Sequence, residues 1–149
     1  MDTKSIFMGF TVPPTPEDLH ALAEIIVDSL PEAMSKHIGK LQFVIEEFPD
    51  DFIQEQLELE TPFDVYGVYM SASPAAKSKA TSKAVQRDTL YLYRRPILDA
   101  WCDTGEDLTQ LLNQIILREI GNHFGFSDDE MDMYEEELLL ARADALAIG

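Results

Sequence analysis

The residues best suited to chemistry lie between Leu117 and Asp128, in the stretch LREIGNHFGFSD. Arg118, Glu119, Asn122 and His123 sit at helical spacing near the end of a long apolar run. Gly125 then stops the helix, and Asp128 lies just past the turn. A carboxylate and an imidazole at spacing E-x-x-x-H face the same side of a helix and can share a proton or a metal ion. Arg118 offers no lone pair to a metal, and Asn122 is a weak ligand. The layout is that of a helix-borne active site, and the side chains filling it are not those such chemistry needs.

The elements that must position these residues can be read in order. Residues 1–14 form a lead-in, partly ordered through Phe7 and Phe10. Thr15, Pro16 and Asp18 signal a helix start, and Leu19, Leu22, Ile26 and Leu30 give its buried stripe. A second short helix is expected over Ala33–His37, before Gly39. Leu41–Phe48 and Phe63–Met70 read as strands, with a short helix or irregular connection at Phe52–Leu59. Gly67 marks a close backbone approach. Thr89–Tyr93 reads as a third strand, ended or marked as an edge by Arg94-Arg95-Pro96. Asp103 or Thr104 caps the next helix, whose buried face is Leu108, Leu111, Leu112, Ile115 and Ile116. At about 100° per residue, Glu119 falls in the middle of that stripe. Ser127 caps a last helix running through Ala147, with acidic residues in its first turn as the helix dipole favours.

One stretch departs in composition. Ser71–Asp88 is rich in small polar residues and carries Lys77, Lys79, Lys83 and Arg87, four of the eleven basic residues. It reads as a mobile, solvated loop.

With 149 residues, 46% of them hydrophobic, the chain can bury a single core, so one domain over 1–149 is expected. The net charge of −17 sets the protein against nucleic acid and anionic membranes, which would repel it. The one cysteine, Cys102, rules out an intrachain disulfide and is expected half-buried beside Trp101. No signal peptide or apolar span is legible, which points to the cytoplasm. His20 and His37 read as surface histidines. The acidic last helix lacks the glycine and ligand spacing of a calcium loop. No phosphate-binding glycine loop or nucleophile elbow occurs.

Four collinear blocks carry a resemblance: VIEEFPDDF at 44–52, PFDVYGVY at 62–69, LYLYRRPIL at 90–98 and ILREIGNHFGFSDDEM at 116–131. Together they resemble the small bacterial zincin-like metallopeptidases, from roughly Thr15 to Tyr134. That resemblance implies an α+β fold. A sheet of three or four strands packs on an N-terminal helix and a motif-bearing site helix. The site residues gather at one end of a shallow cleft. The family motif is H-E-x-x-H-x-x-G-x-x-D, in which two histidines and the aspartate bind zinc and the glutamate is general base. Glu119 then matches the base, Gly125 the turn and Asp128 the third ligand, with His123 beside the second ligand position. Arg118 and Asn122 occupy the two histidine positions.

The expectation is therefore a catalytically inactive member with no zinc or other cofactor. Its cleft would keep an extended peptide along an edge strand near Thr89–Tyr93. Arg118 would stand in for the metal's charge by pairing with Asp128 or Glu119. One alternative is a peptidase with altered ligands, built from His123, Asp128 and Glu119 with His20 or His37. Another is a purely structural or interaction role.

Overall fold

The computed structural model describes residues 13–38, 40–72 and 88–148. The N-terminal lead-in with Phe7 and Phe10 lies outside them, as do Gly39 and most of the Lys-rich stretch. The first helix, α1 (Pro16–Asp28), begins where its cap dictates. Thr15 Oγ1 accepts the Asp18 N–H at 3.1 Å, and the Asp18 carboxylate accepts the Thr15 N–H at 2.9 Å. Its inward face is Leu19, Ala23 and Ile26, so Ala23 joins the stripe where Leu22 only packs against it from the side. Helix α2 (Glu32–Ile38) follows, then strand β1 (Gln42–Glu46). Asp50 caps the short helix α3 (Asp51–Gln56) by accepting the Ile53 N–H at 2.9 Å.

The second expected strand is shorter than the pattern FDVYGVYM suggested. Pro62–Asp64 forms a 3-10 turn because Thr61 and Asp64 cap one another's backbone N–H groups, so pairing begins only at β2 (Gly67–Met70). Strand β3 (Thr89–Tyr93) runs directly into helix α4 (Arg94–Thr104). The sequence reading placed no helix there. Pro96 falls in the first turn, where a missing N–H breaks no helical bond. Pro96, Ile97 and Ala100 then provide the buried side. Gly105 ends α4 in the left-handed conformation (φ 70°), and Asp107 caps the next helix, a role expected of Asp103 or Thr104. Cys102, on α4, is exposed rather than half-buried.

The sheet has the order β1-β3-β2, with β1 and β3 parallel and β2 and β3 antiparallel. Thr89–Tyr93 is therefore the central strand, paired on both sides, and cannot receive an added strand. All five of its residues are buried. Among the described residues, β1 and β2 are the outer strands. The Tyr93 N–H donates to the Tyr66 carbonyl at 2.9 Å. With Val68 facing Tyr91 and Met70 facing Thr89, antiparallel alternation turns the N–H and C=O groups of Gly67 and Tyr69 outward.

Helix α5 (Leu108–Phe124) packs on α1, α2 and β2, and α6 (Asp128–Ile148) covers its other side. Burial on both sides explains why Leu117, Ile120 and Gly121 join the expected stripe in the core. At Gly121 the two helices are packed tightly: a Cβ there would overlap the Met131 side chain of α6. Among the described residues these six helices and three strands make one small α+β domain, and none of the helices is long and apolar enough to cross a membrane.

The Gly121–Met131 contact gives a stability test. Gly121→Ala should lower unfolding free energy by roughly 1–3 kcal/mol through overpacking. Met131→Ala in the same chain should recover part of that loss. Equal urea midpoints for parent and Gly121→Ala would show that the helices have room to spare.

Candidate functional site

Helix α5 delivers its last turns to the sheet. Gly125 closes it with φ 77°, its N–H donating to Gly121 C=O, and the Phe126 N–H donates to the same oxygen at 2.9 Å. Phe126 packs against the core beside Tyr134, as its place after the glycine implied. Ser127 then starts α6 through a reciprocal cap, accepting the Glu130 N–H at 3.2 Å and donating its own N–H to the Glu130 carboxylate at 2.9 Å.

Glu119 lies against β2. A Cβ on Gly67 would sit 3.7 Å from Glu119 Cγ and only 2.8 Å from the Tyr91 carbonyl oxygen. Glycine is what lets the strand lie this close to its neighbours, as the sequence reading inferred. Lost hydration pushes the Glu119 carboxyl up to about 7. Neighbouring Tyr93 is raised above the ordinary phenol range, first by burial and then by the charges of Glu46, Asp50, Tyr91 and Glu119.

His123, one turn further on, faces the end of β2. Its Nε2 and Ser71 Oγ are 2.6 Å apart, and its ring stacks on Tyr69 with centroids 4.1 Å apart. The Tyr69 hydroxyl donates to Asp88 at 2.5 Å, and the Ala72 N–H donates to the other Asp88 oxygen at 2.9 Å. Burial, and then Asp88, raise the Tyr69 phenol. Asp88 thus ties the two ends of the Lys-rich stretch together beside His123. Sequence reasoning missed Ser71, Tyr69 and Asp88. Period-two alternation along β2 could have placed Gly67, Tyr69 and Ser71 on the helix-facing side.

Arg118 is not where the sequence reading put it. Its guanidinium is exposed and pairs with Glu135 of α6, Nη2 lying 3.2 Å from Oε2. Neither Glu119 nor Asp128 is its partner. One residue along a helix is a rotation of about 100°, so as Glu119 turns to the sheet Arg118 turns toward α6. The contact is off the hydrogen-bond axis: Glu135 Oε2 is shielded from solvent and accepts no hydrogen bond. Asn122 and Asp128 are exposed. The expected gathering is therefore divided, with Glu119 and His123 facing β2 and Arg118 facing α6.

Residues 38–138 match a protein family described as Zincin-like metallopeptidase. The chain belongs to that family. No curated protein is significantly similar to it. A solved structure, described as a conserved hypothetical protein from Thermus thermophilus, is 19% identical, with a TM-score of 0.48. The similarity covers 74% of this chain and 94% of that one.

On the motif alignment expected from the sequence, a guanidinium and an exposed amide would stand at the two imidazole positions, and a guanidinium offers zinc no lone pair. Among the described residues, no group of three or more His, Cys, Asp or Glu side chains is placed to hold a metal ion. His123, Asp128 and Glu119 are not gathered into such a group among the described residues. The other histidines do not complete it. His37 stacks on Phe124 at 5.4 Å, and His20 lies 3.8 Å from Glu24 on α1.

The raised Glu119 carboxyl has a consequence for stability. Folding favours its protonated form, so its stabilising contribution is fully present below the unfolded value near 4.5 and is lost as pH rises through about 7. The loss should amount to at most roughly 3 kcal/mol. Glu119→Gln should remove that part of the pH dependence, becoming more stable relative to the parent at pH 8 than at pH 4. Parallel urea-unfolding curves across that range would contradict the assignment.

Proposed function

We propose that this zincin-like domain does not hydrolyse peptides and instead binds an extended peptide in the family cleft. The observation that carries the reading is the pairing of Arg118 with Glu135, at the position where the family motif has its first zinc ligand. The cation is held against a neighbouring helix, leaving Glu119 a protonatable carboxyl without a metal-bound water to act on. Arginine can neither bind zinc nor shed its charge near pH 7.

Peptide binding in this reading uses β2 rather than β3. The outward N–H and C=O groups of Gly67 and Tyr69 offer main-chain bonds to one added strand, and strand addition needs no catalytic group. Glu119 and His123 line the helix-facing side of the same strand. The residue positions left from catalysis would then select side chains of the bound segment. Nucleic acid is disfavoured as partner by the charge of −17.

The test combines cleavage and binding. A diverse peptide library incubated with the protein and added zinc should remain uncut, while a binding peptide should slow amide exchange at Gly67 and Tyr69. Zinc-dependent cleavage abolished by Glu119→Gln would instead establish an active peptidase with altered ligands. Protection absent from β2 in the presence of a bound peptide would remove the strand-edge mode.

A further inference from the structure

A second polar site lies between α5 and α6, on the helix side away from Gly67. A pocket of about 60 Å³ is lined by Gln110, Asn113, Gln114, Glu135 and Leu138. Two of these residues carry polar atoms that make no hydrogen bond among the described residues: Nδ2 of Asn113, which is only 5% exposed, and Oε2 of Glu135, which is ion-paired with Arg118. A buried amide on a helix whose other buried residues are Leu, Ile, Gly and one threonine, Thr109, is costly unless something satisfies it.

The two groups are complementary to one kind of ligand. Nδ2 needs an acceptor, and Oε2, whose contact with Arg118 is off the hydrogen-bond axis, has lone pairs left for a donor. The charge of Glu135 is already balanced by Arg118 at 3.2 Å, which disfavours a second cation. An anion would meet the same carboxylate. We propose that this pocket binds a neutral primary carboxamide. Its carbonyl oxygen accepts from Asn113 Nδ2, and its NH2 donates to Glu135 Oε2. A pocket of that size suits so small a group. Leu138 supplies the apolar wall for the attached carbon. Gln110, which is exposed, and half-buried Gln114 are the flexible side chains that move to admit it. The carboxamide comes either from a short free amide or from an asparagine or glutamine side chain on a partner. This site is independent of the peptide cleft at β2.

The test is a nitrogen–proton NMR titration of the full chain with acetamide, with a short acetylated glutamine peptide, and with N,N-dimethylacetamide. Acetamide should shift the Asn113 side-chain NH2 signals saturably, with a Kd in the millimolar range expected for so few atoms. N,N-dimethylacetamide keeps the carbonyl and lacks the N–H, so it should produce no saturable shift. Asn113→Asp, which keeps the shape and removes the donor, should weaken acetamide at least tenfold. Tighter binding of the glutamine peptide identifies a partner side chain as the source; acetamide binding without it identifies a free amide. Equal shifts from both acetamides, or none from either, would overturn the proposal. So would a crystal structure grown in acetamide with only water, or a direct Asn113–Glu135 bond, in the pocket.

Discussion

Helix α5 is buried on two sides, by the sheet and α1 on one and by α6 on the other, and this constraint governs the rest. A helix enclosed in that way cannot rotate to accommodate a changed side chain. Each residue near its end is committed to a direction: Glu119 and His123 toward β2, Arg118 toward α6. The enclosure is tight at two glycines. Gly67 lets β2 lie close to Glu119, and Gly121 lets α6 lie close to α5. Leu112, Ile116, Leu117 and Ile120, all fully buried, hold the helix between these contacts. The directions of these side chains are therefore a property of the core.

That enclosure explains how Arg118 and the adjacent Glu119 come to face different neighbours. Glu135 receives the guanidinium on the far side of α5, so the positive charge does not intrude on Glu119. The glutamate then has no guanidinium beside it. Burial pushes its carboxyl up to about 7. In the reading proposed above, a group that changes charge near pH 7 beside β2 would serve recognition.

Much of this was legible in the sequence, for physical reasons. Capping residues fixed α1 through Thr15 and Asp18, and Gly125 with Phe126 fixed the end of α5, because these signals act within a few residues. That Glu119 faces inward from α5 followed from its spacing along that helix. Strand order did not follow, since nothing local in TLYLY says which neighbours pair with it. The same apolar run fits a central strand and an edge. Helix α4 was hidden by Pro96, a residue that breaks helices except in the first turn. The partner of Arg118 was also out of reach, because Glu135 lies on a different helix and carboxylates are plentiful throughout that acidic segment. Ser71, Tyr69 and Asp88 were missed for a similar reason: they meet His123 only through the fold.

The central claim is that replaced ligands, and not a collapsed scaffold, separate this domain from a zinc site. Its most direct test is elemental analysis of protein purified without chelators or a histidine tag, beside an Arg118→His/Asn122→His double variant. The account predicts no stoichiometric zinc in the parent and about one equivalent in the double variant, whose imidazoles would join Asp128 in the family's ligand set. Stoichiometric zinc in the parent would contradict it outright. A folded double variant that still binds none would show that the scaffold itself has moved away from metal binding.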